Sequence, residues 1–204
     1  MTTERLTRKE RQERTRSHLL EAAGRVFARR GLEGASVDEV AADAGFTKGA
    51  VYANFASKED LFLAMLDARF ARRMDELDRA LSEHDALEDQ AHAASADFMR
   101  YLKSDPEWEQ LFFEAGLHAS RDPAFRRELA SRYAAVRERM AAILEQRATA
   151  VGVEPAIPVE RVALMLFAMT NGVAFERLVE PDAVPDDLLG AMTELVARAA
   201  RGEG

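Results

Sequence analysis

The stretch Ser36–Lys58, SVDEVAADAGFTKGAVYANFASK, restricts the fold of this chain more than any other. Ser36 followed three residues later by Glu39 forms a capping box, with Ala35 and Val40 placed as a weak hydrophobic staple. Val37, Val40, Ala41 and Ala44 recur at helical spacing, so the short helix has one face to bury. Gly45 can take the positive φ that stops it, which lets Phe46 turn back toward the core. Thr47 caps a second short helix, in which Val51, Tyr52 and Phe55 repeat three to four residues apart. Two short helices joined by a tight glycine turn make a helix-turn-helix, a motif whose second helix enters the major groove of DNA.

The remainder of the sequence accommodates such a head. Six prolines and eleven glycines in 204 residues, with many Ala, Leu, Glu and Arg, favour an all-α chain. There are no cysteines, which excludes disulfide and thiol chemistry and agrees with a cytoplasmic location. No run of eighteen apolar residues occurs and the N-terminus is Arg/Glu-rich, so neither a membrane span nor an export signal is expected. A net charge of −8 argues superficially against nucleic acid, but the charge is unevenly placed. Residues 1–30 hold nine basic and four acidic residues, whereas residues 61–204 hold 17 and 26. A basic DNA-reading end on an acidic body gives that split, and so does an ordinary solvated Arg/Glu helix.

Taken in order, residues 1–30 read as an arm entering a long helix. Leu19, Ala23, Val26, Phe27 and Arg30 mark its buried side, and the first dozen residues are either a helical extension or a loose basic arm touching phosphates. Gly31 and Gly34 close it. Beyond Phe55, Ser57 and Asp60 start a helix over 58–81, with an Ala56–Leu61 staple. Lys58 sits in its first turn, where the helix dipole disfavours a cation. A nearby DNA phosphate would remove that conflict; a solvated surface lysine is the alternative. Further helices are expected over 85–103, from Pro106, from Pro123 to about Ala150, over 159–180 and over 186–199. From Val162 to Phe175 only Thr170 and Asn171 are strongly polar, so that helix should be buried on all sides. A homodimer in which 159–180 and 186–199 pair with their symmetry mates as a four-helix bundle supplies that burial. A wholly intrachain core is the alternative.

No catalytic constellation is apparent. GLEGAS has neither the spacing nor the lysine of a phosphate-binding loop, and no metal framework emerges from His84, Asp85, Glu88, Asp89 and His92. No cofactor and no metal are expected. A small-molecule pocket is plausible from Met65, Phe98, Tyr101, Trp108, Phe112, Phe113, Leu117 and Met169, with His118 and Asn171 as polar handles. For any one of these aromatics, plain core packing is the better explanation. Asn171 carries more information, because an amide on an apolar helix needs a partner helix, water or ligand.

The arrangement Leu19-Leu20-x-Ala22-Ala23, Phe27, Gly31, then Ser36 to Phe55, then Ser57-Lys-Glu-Asp-Leu-Phe62 resembles the N-terminal domain of the tetracycline-repressor (TetR) family. The match is close over residues 14–63. The resemblance implies a dimeric transcriptional repressor that leaves a palindromic operator when a small molecule enters its C-terminal domain. It places Ser36 and Val37 near the DNA backbone, and Thr47, Lys48, Gly49 and Ala50 at the groove. Tyr52 would bond a phosphate, as would Lys58. Asn54 stands where many members carry histidine; asparagine can still bond a phosphate or an adenine edge, so the departure bears on sequence preference. Independently, Lys48 one residue past the cap can reach guanine O6/N7 or a phosphate, and Ala50 a thymine methyl.

The expected protein is thus an all-α chain of about nine helices. Residues 1–56 form a three-helix DNA-binding domain, and residues 57–204 a ligand-binding and dimerisation domain. It would act as a ligand-responsive repressor, released from operator DNA by an apolar or amphipathic effector, with its two heads about 34–36 Å apart and the 58–81 helix alone linking head to body. An activator or dual regulator has the same sequence features. A helical ligand-sequestering or protein-interaction dimer would differ in not reading DNA.

Overall fold

The computed structural model describes residues 7–202. Among them the ordered elements are nine helices: α1 (Arg8–Gly34), α2 (Val37–Ala44), α3 (Lys48–Tyr52), α4 (Lys58–Ser82), α5 (Leu87–Ser104), α6 (Pro106–Arg121), α7 (Pro123–Ala150), α8 (Val159–Val179) and α9 (Leu188–Ala200). The all-α expectation therefore holds. The first six residues of the anticipated N-terminal arm lie outside the described residues. From Arg8 the chain is helical, capped by Thr7: the Thr7 hydroxyl accepts from the Glu10 amide while the Glu10 carboxylate accepts from the Thr7 amide, a capping box.

The helices pack as two compact units. One comprises the chain up to Arg69 with Leu111–Glu128; the other comprises Phe70–Gln110 and the chain from Leu129. α4 is not alone in spanning both units, because α6 and α7 likewise contribute residues to both.

In the first unit, Leu19, Ala22, Ala23, Val26 and Phe27 bury one face of α1. Val40 of α2, Val51 of α3, and Leu61, Phe62 and Leu66 of α4 are likewise fully buried. Phe27 and Phe62 stack edge to face at 5.1 Å. Each such ring contributes roughly 2–3 kcal/mol by leaving water. Arg30, expected on the buried side of α1, is exposed and pairs with Glu39 at 3.3 Å; a guanidinium next to this core would be costly to desolvate, and after Phe27 the next buried side chain of α1 is Leu32. The α1 axis breaks at Gly31, whose φ of +70° favours glycine.

The second unit has a core of Met74, Val136, Met140, Ala141 and Ala163, flanked by Phe70, Leu77, Leu144, Val159, Leu166 and Phe167. α5 and α9 pack closely: Ser95 and Thr193 share a hydroxyl hydrogen bond of 2.8 Å, and Gly190 lies beside the His92 ring. Helix α8 is only partly covered by its own chain. Within one chain it buries Val162, Ala163, Val173 and Ala174, but leaves Leu164, Met165, Phe175, Leu178 and Val179 exposed. Leu188 and Leu195 of α9 are exposed too. Its composition is uniform around the helix, so the pattern could not say which side its own chain would cover. By length and hydropathy α8 is also able to cross a bilayer, although it holds no eighteen-residue apolar run.

Candidate nucleic-acid interface

The helix-turn-helix is closed by local hydrogen bonds. Ser36 caps α2: its hydroxyl oxygen accepts from the Glu39 amide at 3.2 Å. Glu39 Oε2 in turn accepts from the Ser36 hydroxyl and from the Ser36 amide, each at 3.0 Å, and these two bonds hold the Glu39 carboxyl below its ordinary range. Gly45 ends α2 in the left-handed region at φ +71°, and the Phe46 amide turns back to the Ala41 carbonyl at 2.9 Å. Thr47 caps α3 through the Ala50 amide at 3.3 Å. Val51 and Phe55 are buried, so the remaining side of α3 faces outward.

That outward side carries Thr47, Lys48, Gly49 and Tyr52, all exposed, with Ala50 half-buried. A β-carbon on Gly49 would meet nothing of its own chain closer than Thr47 Oγ1 at 3.8 Å, so the space there is open to an approaching groove wall. Lys48 Nζ donates to Asp38 Oδ2 at 2.8 Å. The neighbouring carboxylate raises the lysine above its ordinary pKa, which keeps the ammonium charged. Val37 is buried, so its side chain belongs to the core.

Two residues assigned to DNA have structural work of their own. The Asn54 side-chain amide donates to the Ala50 carbonyl at 2.8 Å, and its main-chain carbonyl accepts from Arg16 at 3.0 Å. Asn54 therefore closes the C-terminal end of α3. Lys58 Nζ donates to the carbonyls of Glu33 and Ala35, each at 3.2 Å, at the end of α1. This answers the unfavourable dipole of α4 with the favourable C-terminal carbonyls of α1. An ammonium has three protons, so one remains for a phosphate.

Arg16 and Asp38 were missed from the sequence. Arg16 sits over the Phe55 ring at 4.3 Å while bonding Asn54, so α1 braces the end of the recognition helix. Nothing in a basic run distinguishes the one arginine that reaches 38 residues ahead. On the other side, Arg25, Arg29, Arg30, Glu39 and Asp43 form an ion-pair network between α1 and α2. An open cleft of about 480 Å³ there is lined by Val26, Arg29, Arg30, Glu39, Ala42 and Asp43, none of them a candidate effector contact.

The ten candidate effector residues divide between the units. Met65, Phe112, Phe113, Leu117 and His118 lie in the first; Phe98, Tyr101, Trp108, Met169 and Asn171 lie in the second. Met65, Phe112 and Trp108 are buried, and Trp108 meets Phe70 edge to face. Phe98 and Tyr101 lie under the Arg73 guanidinium, which also pairs with Asp97 and Glu76. Met169 and Asn171 are half-buried on α8. Leu117 is exposed. His118 is turned to α1, with Nδ1 2.9 Å from Glu33 Oε1 and its ring against Phe125. Among the described residues, no three of His, Cys, Asp or Glu are grouped to hold a metal, and His92 of the 84–92 cluster bonds the Glu88 carbonyl.

Comparison with known proteins agrees with this arrangement. Residues 19–65 match the family model for bacterial regulatory proteins of the tetR family. Residues 87–201, more than half of the chain, match the C-terminal model of BetI-type transcriptional repressors. The HTH-type transcriptional repressor AcnR of Corynebacterium efficiens is 30% identical over 78% of this chain and 79% of its own. A crystal structure from Mesorhizobium loti assigned to the TetR family superposes with a TM-score of 0.73 at 22% identity, covering 95% and 96% of the two chains. The FadR regulator of Bacillus subtilis, solved with stearoyl-CoA, does so with a TM-score of 0.67 at 17% identity, covering 92% and 98%. The head built by α1–α3 and the helical body after it are those of a regulator rather than an enzyme, and the chain belongs to the TetR family of DNA-binding transcription regulators.

Proposed function

We propose that the protein is a homodimeric repressor that binds a palindromic operator and is released by a small apolar or amphipathic effector. The observation that carries the DNA reading is the outward side of α3, where Thr47, Lys48, Gly49 and Tyr52 are exposed over a core-anchored Val51 and Phe55. Their placement suits groove entry by the first turn of α3 and a phosphate bond from Tyr52. Lys58 and the Ser36–Val37 segment flank it. The C-terminal match to BetI-type repressors and the similarity to AcnR favour repression over activation.

The exposed apolar faces of α8 and α9 support the pairing of two copies, which would cover Leu164, Phe175, Val179 and Leu195. On this reading α8 lies in a protein interface rather than a bilayer, and the protein is cytoplasmic. The effector would bind among the aromatic residues of the body, and the stearoyl-CoA held by FadR is an amphipathic ligand on a similar fold. It would act by favouring a dimer whose heads miss successive grooves, to the extent that it binds that state more tightly. α4 is the proposed transmitter, with α6 and α7 as further candidates.

The test is selection of duplexes from a randomised library by the purified chain, followed by gel shift and sedimentation. Enrichment of an inverted repeat, bound by a two-chain species, is the expected result. Recovery of no sequence above background would leave a helical binding protein that does not read DNA.

A further inference from the structure

Helix α2 carries three carboxylates, and two of them serve its packing on α1. Glu39 pairs with Arg30, and Asp43 pairs with Arg25 at 2.7 Å and Arg29 at 3.0 Å. Asp38 stands about 100° around the helix from Glu39. It meets α3 instead, accepting from Lys48 Nζ at 2.8 Å. Both side chains are more than half exposed, at 64% and 53%. An ion pair this exposed adds little to folding. It joins the two helices of the reading element at its outer surface.

Its consequence falls on DNA. A carboxylate at a surface that approaches phosphates repels every sequence alike. A lysine tethered to that carboxylate is not a free phosphate contact. A G·C pair offers a different exchange in the major groove: guanine O6 and N7 accept, and cytosine N4 donates. Lys48 and Asp38 present the complementary donor and acceptor side by side.

Resting on the reading of this face as the DNA interface, we propose that Asp38 is a specificity-determining residue. It opposes sequence-independent binding, and with Lys48 it reads a G·C pair, the base edges replacing the ion pair. On mismatched DNA the ion pair is lost without replacement, or the phosphates are met by an uncompensated carboxylate. Asp38 also lies in the first turn of α2, where an acid favours the helix dipole. A merely helix-stabilising role makes the opposite prediction for non-specific DNA.

The experiment uses the full-length chain and two probes: the duplex enriched by the wild type, and the same duplex with both half-sites scrambled. Anisotropy titrations at several salt concentrations compare wild type, Asp38→Asn, Asp38→Glu, Lys48→Gln and the Asp38→Asn/Lys48→Gln double variant. Asp38→Asn should bind the scrambled duplex roughly five- to tenfold more tightly at 0.1 M salt, with its salt slope steeper by about one. It should gain nothing on the selected duplex, so the specificity ratio falls by the same factor. Asp38→Glu should keep the rejection of scrambled DNA, and in the Lys48→Gln background Asp38→Asn should leave the ratio unchanged. Equal shifts on both duplexes would overturn the proposal, as would weaker binding to both with a lowered melting temperature. If the wild type enriches no duplex, the DNA reading fails first; if it does and the ratio is unmoved, Asp38 alone is misassigned.

Discussion

Lys58 looks misplaced when only its own helix is considered. Its first-turn position in α4 was legible in the sequence as a broken rule, but its partners were not, because Glu33 and Ala35 lie 25 and 23 residues earlier and offer only backbone carbonyls. Lys58→Met should therefore lower unfolding stability by about 1–2 kcal/mol in urea titrations, through two lost charge-assisted bonds. An unchanged midpoint would show that those bonds do not hold the end of α1. Tyr52 separates the two kinds of effect. It is 50% exposed and outside the core, so Tyr52→Phe should leave the melting temperature unchanged. If it bonds a phosphate as proposed, the same change should weaken binding to every duplex by roughly three- to tenfold. A sequence-dependent loss would instead make Tyr52 a base reader. Asn54 teaches a related lesson: the residue type permitted DNA contact, but its amide already completes α3.

Among the elements, the end of α1 is the most constrained. Gly31 turns it at φ +70°, and Glu114 of α6 answers the turn by accepting from the Leu32 amide at 3.1 Å. A β-carbon at residue 31 would stand 2.5 Å from Glu114 Oε2. Gly31→Ala should cost roughly 1–3 kcal/mol, measured by denaturant unfolding. Adding Glu114→Ala should recover none of the part due to φ. The helix starts were readable because a cap and its N3 partner lie three residues apart, as at Ser36/Glu39 and Ser57/Asp60. This brace was not readable, since α1 and α6 meet across 82 residues. The same unit has a defined response to acid. Glu39, Asp43 and Asp122 all have lowered pKa values: Glu39 by its bonds to Ser36, Asp43 by Arg25 and Arg29, and Asp122 by the amides of Phe125 and Ala124 that it caps. Each binds its proton less readily folded than unfolded, so the stability it adds is complete above the ordinary carboxylate values of 3.8–4.5 and is lost as pH falls through the lower folded values. Circular dichroism of α1–α3 unfolding should show stability declining below about pH 5, and Asp43→Asn should flatten that decline. A pH-independent midpoint from 5 to 3 would contradict the assigned ion pairs.

At the scale of the whole molecule, the sequence reported that α8 is apolar all round, and the structure shows that one chain covers only part of it. Periodicity could not divide those residues between an internal and an external neighbour, because both neighbours want the same side chains. Leu164 and Leu195 are 52% and 65% exposed. Leu164→Glu with Leu195→Glu should convert a two-chain species to a one-chain species in sedimentation while leaving α1–α3 folded. Its affinity for an inverted repeat should fall at least a hundredfold, since each head must then bind alone. A dimer that survives both changes would place the interface elsewhere. The incomplete covering of α8 then bears on dosage. If the halves part at low abundance, operator occupancy follows the square of chain concentration rather than its first power. Halving the chain concentration, as faster dilution by growth would do, would then lower occupancy about fourfold, so growth rate itself would become an input to the promoter.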